Sequence, residues 1–188
     1  FDEGSGATAA DISGNGNDAT LNGGAAWGDG ANGTGGMVFN GSSSYLQVAN
    51  ESDFDLEQSY SLAVWVKRAP GSDVGRILNK PGDSRWHENN FALLVLADGH
   101  LESYFYTPGI SGNGCPSASN LAPDIWQHVA VVWDARTRSH TVYIDGARDS
   151  SRSVTGTSAP YPSDQPLLIG AGSVGSEHFA GSLDDVRV

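Results

Sequence analysis

Oxygen-bearing side chains at alternating positions near the start of the chain have the spacing of a metal-binding loop. Residues 11–18 read Asp-Ile-Ser-Gly-Asn-Gly-Asn-Asp, so Asp11, Ser13 and Asn15 are two residues apart, and Asn17 follows where a backbone carbonyl ligand is usual. Calcium takes roughly six to eight oxygen ligands, supplied by such alternating side chains and carbonyls with glycine at the sharp turns. Ordinary turns have the same composition. The segment is therefore either half of a calcium loop or a plain turn.

The ligand that would close such a calcium loop is missing locally. A calcium loop usually ends with a bidentate Glu about twelve residues after the first ligand, and this chain has Asn22 near that point. A closing carboxylate must then come from a distant part of the sequence. Asp184 and Asp185, at the head of the strand-like run Ser182 to Val188, are the best candidates.

Composition favours one β-rich domain spanning residues 1–188. The 188 residues include 25 glycines, and only 17% are charged, which is typical of a β-protein with many turns. The net charge of -12 disfavours binding to nucleic acid and to anionic membrane surfaces. An acidic surface is compatible with cations and with neutral partners such as glycans.

The chain offers few clues to its compartment. Cys115 is the single cysteine, so the sequence predicts neither an internal disulfide nor a cysteine-based zinc site. The sequence has no apolar stretch of membrane-spanning length, and we expect no membrane insertion. The chain begins at Phe1 without a signal peptide, and we expect it to be a segment of a longer or processed protein.

Two long segments alternate in the two-residue period of a β-strand. In residues 59–68, Leu62, Val64 and Val66 share one face and Trp65 lies on the other, and residues 126–134 behave in the same way. Strands that are apolar on both faces lie in the middle of stacked sheets or line a ligand groove. The predicted core consists of Leu62, Val64, Val66, Val129, Val131, Val142, Ile144, Ile169 and the rings of Trp65, Trp126 and Trp133.

Two Asp-Gly pairs predict β-hairpins, because a type I′ turn needs positive φ at both central residues. They are Asp98-Gly99 and Asp145-Gly146. A two-residue loop at the first would pair Leu93 with Tyr104 and place Glu102, Tyr104 and Tyr106 on one face. Many short strands with glycine-rich turns predict an all-β fold with two antiparallel sheets packed as a sandwich or jelly roll.

Two segments lack a strand pattern and are predicted to be long, functional loops. One runs from Pro108 to Pro123. The other runs from Asn79 to Asn90 and contains Arg85, Trp86 and His87.

Eight short pieces, in order along nearly the whole chain, resemble the laminin-G-like members of the concanavalin A-like jelly-roll superfamily. They occupy residues 1–6, 11–18, 37–41 followed by 45–46, 61–66, 126–130, 143–146, 168–170 and 181–187. The resemblance implies two packed antiparallel sheets, of which the concave one often presents a ligand surface. It also favours a structural calcium ion. In such folds the first and last strands lie side by side, which would bring Asp184 and Asp185 to the Asp11 loop. Asp2 is a further candidate ligand.

Catalysis is the weaker alternative on this fold, whose relatives include glycoside hydrolases and polysaccharide lyases. Retaining glycosidases need two carboxyl groups about 5 Å apart. The acidic run 51–57 is the only alternating set, and its spacing departs from the pattern of the hydrolase relatives. A lyase would need a general base beside a cation. Arg85, His87 and Tyr104 have no spacing that supports one.

The sequence therefore leaves two main hypotheses. The first is a non-catalytic, extracellular carbohydrate-binding module, monomeric and part of a larger protein. Aromatic faces stack on sugar rings and a few polar groups orient them, and the candidate contacts are Trp86, His87, Arg85, Tyr104 and Tyr106. The second is a protein-interaction or adhesion domain.

Overall fold

The structure, a computed structural model, describes residues 1–33, 35–50, 52–56, 58–82, 90–105, 114–155, 162–172 and 176–188. These residues form a short 3-10 helix, Ser52–Phe54, and fifteen β-strands. The strands are Thr8–Ala9 (β1), Ala19–Asn22 (β2), Ala26–Asp29 (β3), Gly35–Asn40 (β4), Tyr45–Val48 (β5), Tyr60–Arg68 (β6), Gly75–Lys80 (β7), Phe91–Val95 (β8), His100–Phe105 (β9), Cys115–Asn120 (β10), Gln127–Asp134 (β11), Ser139–Ile144 (β12), Ala147–Ser153 (β13), Leu167–Ile169 (β14) and Ala180–Arg187 (β15). Among the described residues, none belongs to an apolar helix that could span a bilayer.

The strands form two antiparallel sheets. The eight-stranded sheet has the order β1-β2-β5-β14-β7-β8-β9-β10, and the seven-stranded sheet has the order β13-β12-β11-β6-β15-β4-β3. Alternating apolar side chains of both sheets pack against each other, as expected when each strand has one face turned inward. The predicted β-sandwich is thereby confirmed.

The core lies between the sheets and contains most of the side chains that alternation assigned to it. Seven of the eight predicted aliphatic residues are buried, and Ile144 is partly buried against the core. Trp133 is 2% exposed and belongs to the core. The assignment of Trp65 and Trp126 to the core is wrong, because both are only half-buried and lie outside the core cluster. Trp65 faces away from the core, since it alternates with the buried Val64 and Val66.

The two predicted hairpins form, and one of them has a different loop. Asp145 and Gly146 both have positive φ, and Ile144 pairs with Ala147, so this is the expected two-residue turn. At the first hairpin Leu96 N donates to His100 O, and residues 97–99 form a three-residue loop. Gly99, at φ 93°, supplies the left-handed residue that follows the turn.

The longer loop shifts the predicted pairing of β8 and β9 by one residue. Leu93 pairs with Ser103, and Tyr104 pairs with Ala92. Leu101, Ser103 and Phe105 alternate inward, so Tyr104 faces away from the core. The hairpin therefore places the Tyr104 ring on the outer surface of the eight-stranded sheet.

Two further expectations are wrong. The segment from Pro108 to Pro123 contains β10, an edge strand whose polar sequence carries no alternation signal and whose Pro116 is tolerated at a sheet edge. The first and last strands are not neighbours. β1 pairs only with β2 in one sheet, whereas β15 lies between β6 and β4 in the other.

Candidate functional site

A polar cluster lies on the outer face of the eight-stranded sheet, where β7, β8 and β9 meet. Residues that are cross-strand partners share a face of the sheet. Asn79 and Tyr104 both pair with Ala92, and Arg76 pairs with Leu94. Ala92 and Leu94 lie outside the core cluster yet are buried, at 0% and 5% exposure. These residues therefore form the floor of a polar surface directed away from the core.

A β-bulge in β7 brings Arg76 and Asn79 to the same face. Residues three apart in a regular strand point to opposite faces. In β7 the register shifts between Arg76 and Leu78, and both Ile77 and Leu78 are fully buried. The extra residue re-aims the start of the strand, as bulges do beside functional sites.

Arg76 is the centre of the cluster. Its Nε donates to Oε2 of Glu177 at 2.6 Å, and its Nη1 donates to Oδ1 of Asn79 at 3.2 Å and to the Tyr104 hydroxyl. The guanidinium carbon lies 5.5 Å from the centre of the Tyr104 ring. The side chain of Arg76 is 12% exposed and that of Glu177 is 42% exposed. The Arg76 end of the ion pair is therefore largely shielded from solvent, whereas the Glu177 end is exposed to it.

Backbone pairing fixes the ion pair in place. Arg76 N donates to Glu177 O at 2.9 Å, and a parallel bridge joins Arg76 to His178. Asn79 is fully buried, and its Nδ2 donates to the carbonyl of Gly172. The backbone positions of Arg76 and Glu177 are therefore fixed by hydrogen bonds.

Gly172 lies directly against the ion pair. A Cβ at this position would be 2.6 Å from Glu177 Oε2 and 2.9 Å from Arg76 Nε. A side chain at position 172 would therefore displace the charged groups.

Burial raises the pKa of Tyr104 above its ordinary value, although Arg76 opposes this shift. The phenol is therefore protonated at neutral pH. Its oxygen accepts a hydrogen bond from Arg76 and its ring supplies an apolar surface. A protonated phenol is not in the form that acts as a general base.

A cleft of about 410 Å³ opens beside the pair, lined by Glu177, His178, Asp73 and Asn40 among other residues. His178 Nδ1 is 3.3 Å from the carbonyl of Ser44, and its ring lies 6.3 Å from that of Tyr45. The cleft extends the polar surface from Glu177 toward the turn that joins β4 and β5.

Of the glycan contacts predicted from the sequence, Tyr104 lies in this cluster. Arg85, Trp86, His87 and Tyr106 lie outside the described residues and stay predictions. Sequence analysis missed Arg76, Asn79 and Glu177. Two charges and an amide on either side of Ile77 and Leu78 could have drawn attention to β7, but Glu177 carries no local signal.

The carboxylate of Asp11 accepts hydrogen bonds from residues of its own loop. Asp11 Oδ1 accepts from Ser13 N at 2.9 Å, and Oδ2 accepts from Ser13 Oγ at 2.8 Å and from Asn17 N at 3.0 Å. The bond from Asn17 N and those from Ser13 hold the pKa of Asp11 below its ordinary value. Asn15 N donates to Ser13 Oγ at 3.3 Å. This geometry is that of an Asx-type turn.

Asn17 links the loop to its surroundings. Its Oδ1 accepts from Asn50 Nδ2 at 3.0 Å, and its Nδ2 donates to Asp53 at 3.2 Å.

Asp184 and Asp2 lie at a different place, the turn between β3 and β4. Asp184 is 4% exposed, and its Oδ2 accepts from Ala31 N at 2.9 Å. Asp2 Oδ1 accepts from Gly35 N at 3.1 Å. A Cβ on Gly30 would lie 2.2 Å from Gly35 O and 2.6 Å from Asp184 Oδ2. A Cβ would thus overlap both oxygen atoms, and the close approach of Asp184 to this turn requires glycine at position 30.

The predicted metal ligands are thus divided between two places. Among the described residues, no hydrogen-bond partner of Asp11, Asn15 or Asn17 is shared with Asp2 or Asp184. Asp185 is engaged elsewhere, with Arg187 donating to both of its carboxylate oxygens at 2.9 and 2.8 Å. Within the described ranges, no group of three or more His, Cys, Asp or Glu residues is arranged to hold a metal ion.

Comparison with known proteins identifies the fold family of the chain. A family model for laminin-G-like domains, described as the concanavalin A-like lectin/glucanases superfamily, matches residues 40–188. Comparison with curated protein sequences gives no match.

Solved structures with the same fold include a CBM40 module of a Ruminococcus gnavus IT-sialidase. Its TM-score is 0.68, at 10% identity over 81% of this chain and 88% of that chain. Domain 4 of a GH43 extracellular arabinanase from Geobacillus stearothermophilus, solved with arabinotriose, has a TM-score of 0.65. Its identity is 20% over 95% of this chain and 84% of that chain. The binding domain of botulinum neurotoxin serotype D scores 0.68, at 15% identity over 94% of this chain and 44% of that chain.

Proposed function

Because the chain belongs to the laminin-G-like family of the concanavalin A-like lectin/glucanase superfamily, we propose that it is a non-catalytic carbohydrate-binding module. The neighbours on this fold support a glycan as the ligand. One is a CBM40 module also solved with α2,3-sialyllactose, and another is an arabinanase domain solved with arabinotriose.

The observation that carries this proposal is the Arg76 cluster. Sugar sites combine a few fixed polar groups with an apolar or aromatic surface. Arg76 and Glu177 supply charged hydrogen-bonding groups, and the ring of Tyr104 lies beside them. Hydrogen bonds hold the polar groups before any ligand arrives, which lowers the entropic cost of binding.

Trp86, His87, Arg85 and Tyr106 complete the proposed binding surface. Residues 83–89 connect β7 to β8, and residues 106–113 connect β9 to β10. Each segment therefore follows a strand that carries part of the cluster. We propose that Trp86 stacks on a sugar ring.

Three carboxylates and a phenol argue for binding rather than catalysis. Asp53 is bonded to the side chains of Asn17 and Asn50, and Asp55 Oδ1 accepts from Ser163 N at 3.0 Å. These carboxylates hold neighbouring segments together. Glu177 forms an ion pair with Arg76 through Oε2, and the raised pKa of Tyr104 disfavours the use of the phenol as the base of a lyase.

We also propose a structural calcium ion, held by Asp184 and Asp2 with backbone oxygens of the β3–β4 turn. Both carboxylates contact the backbone of this turn, Asp184 at Ala31 N and Asp2 at Gly35 N, and carboxylate oxygens are ligands that calcium prefers. A bound ion would tie the N-terminal segment and β15 to the turn. The Asp11 loop, with Asn15 and Asn17, is the alternative location.

We propose an extracellular setting within a larger protein, as for the arabinanase whose domain shares this fold.

A protein-interaction role is the second candidate, and the outer face of the seven-stranded sheet favours it. Trp65 and His128 are cross-strand partners there, with ring centres 5.2 Å apart. Lys67 Nζ lies 5.0 Å from the ring centre of Trp126. Half-buried aromatic rings of this kind are enriched at protein interfaces.

A glycan array combined with a hydrolysis assay tests the proposed function. The protein should bind at least one class of polysaccharide while releasing neither reducing sugar nor unsaturated uronate from it. Release of either product would make the protein an enzyme. Absence of binding across a broad array would favour the protein-interaction role.

A further inference from the structure

Resting on the proposed function, we propose that the Arg76–Glu177 pair selects uncharged sugars through two neighbouring hydroxyl groups and rejects acidic sugars. The ion pair presents a donor and an acceptor side by side, and its positive charge is already neutralised within the protein.

The hydrogen bonds of the pair use only part of each charged group. Arg76 uses Nε and Nη1 for Glu177, Asn79 and Tyr104, and Nη2 has no hydrogen-bond partner among the described residues. Glu177 uses Oε2, and within the same part of the chain Oε1 accepts no hydrogen bond. Within the described part of the chain, one cationic donor group and one anionic acceptor therefore remain on the same pair.

A vicinal diol matches this arrangement. A hydroxyl group has one donor and two acceptor lone pairs, whereas a carboxylate only accepts. One hydroxyl can accept from Arg76 Nη2 while its neighbour donates to Glu177 Oε1. Both bonds are charge-assisted and hence stronger than bonds between neutral groups.

An acidic sugar would be repelled by the carboxylates around the pair. Its carboxylate could accept from Arg76, but it would approach Glu177, whose side chain is the more exposed member of the pair. Glu102 pairs with Leu94 and therefore lies on the same face of the sheet. The net charge of -12 adds long-range repulsion.

Matched polysaccharides test this selection. Each polyuronate and its carboxyl-reduced, neutral form share one backbone, and a hydroxymethyl group replaces every carboxylate in the reduced form. The wild-type protein should bind the neutral member of at least one matched pair and bind the acidic member at least about tenfold more weakly. Since the neutral ligand carries no charge, its affinity should change little between low and high salt.

The variant Glu177→Gln tests the role of the carboxylate. The amide keeps the shape of the side chain and removes its charge, so neutral binding should weaken about tenfold, as expected for loss of one charge-assisted hydrogen bond. Binding of the acidic ligand should become stronger. Asp124→Asn is the matched control, because Asp124 is exposed and forms no side-chain hydrogen bond among the described residues. It removes the same charge and should leave both affinities unchanged.

The outcomes separate this inference from the proposed function. Tight, salt-sensitive binding of the acidic member by the wild type, lost in Arg76→Gln, would overturn the inference and keep the glycan-binding function. Absence of binding to every glycan would overturn both. Should Glu177→Gln fail to fold, the comparison of matched ligands with the wild type decides alone.

Discussion

Glu177 Oε2 lies 2.6 Å from Arg76 Nε, although 101 residues of sequence separate the two side chains. The contact forms because residues 177 and 178 run beside β7, where Arg76 N donates to Glu177 O. Arg76 in turn faces outward because β7 contains a bulge. An ion pair on the outer face of a sheet contributes little to the core. We therefore interpret it as part of a binding surface.

Gly172→Ala should weaken glycan binding with little effect on folding. The added methyl group would lie 2.6 Å from Glu177 Oε2 and 2.9 Å from Arg76 Nε. These atoms are at or near the ends of flexible side chains, so the pair should move apart while the backbone stays in place. We expect about a tenfold loss of affinity in titration calorimetry. An unchanged affinity would indicate that the ligand does not use this pair.

Trp86→Ala should reduce retention by polysaccharide in affinity electrophoresis and leave the melting temperature nearly unchanged. A ring that stacks on a sugar from the protein surface contributes little to folding. Trp126→Ala is the control, because Trp126 belongs to the opposite side of the sandwich. If Trp86→Ala unfolds the domain, Trp86 is a core residue and its assignment to the site is wrong.

Lys80→Met should strongly destabilise the domain. Lys80 is fully buried, and its Nζ donates to Ser163 O at 2.8 Å and Gln165 O at 2.6 Å and lies 3.6 Å from Asp55. Methionine retains much of the stem but leaves Asp55 without its cation. Breaking a buried pair in this way costs about 3–5 kcal/mol.

The free energy of unfolding in urea measures this loss. Lys67→Met is the control, because Lys67 is half-buried on the outer face and should cost less than about 1 kcal/mol. A similar loss for both variants would contradict a special role for the buried amine.

Removal of calcium should lower the melting temperature by several degrees. An ion at about 100 times its dissociation constant contributes about 2.7 kcal/mol, provided that it binds only the folded state. The effect of a chelator should disappear in Asp184→Asn and persist in Asp11→Asn. Loss of the effect in Asp11→Asn alone would move the ion to the Asp11 loop. A melting curve that chelation leaves unchanged would contradict the presence of a structural ion.

Alternation predicted the core well because each buried strand has one inward face. Leu62, Val64 and Val66 follow the two-residue period, and all three are buried. The two-residue period assigns a side chain to one face of a strand, but it does not tell whether the second face is buried by other residues or exposed to solvent. The prediction that Trp65 lies in the core fails for this reason, since Trp65 lies on the outer face of the sheet.

The candidate site was harder to predict because non-local geometry builds it. The bulge in β7 places Arg76 and Asn79 on one face against the simple alternation rule. The three-residue loop ending at Gly99 changes the partner of Tyr104. A local pattern contains neither feature, and nothing near Glu177 in the sequence indicates its distant partner.

Titration of the wild type and Arg76→Ala with the polysaccharide that the wild type binds best tests the Arg76 site most directly. Arg148→Ala is the matched control, because Arg148 is exposed on the seven-stranded sheet. We predict that Arg76→Ala reduces affinity by about tenfold or more while the fold is kept, since it removes charge-assisted hydrogen bonds. Arg148→Ala should bind like the wild type. Full affinity in a folded Arg76→Ala variant would contradict the assignment of this cluster as the glycan site.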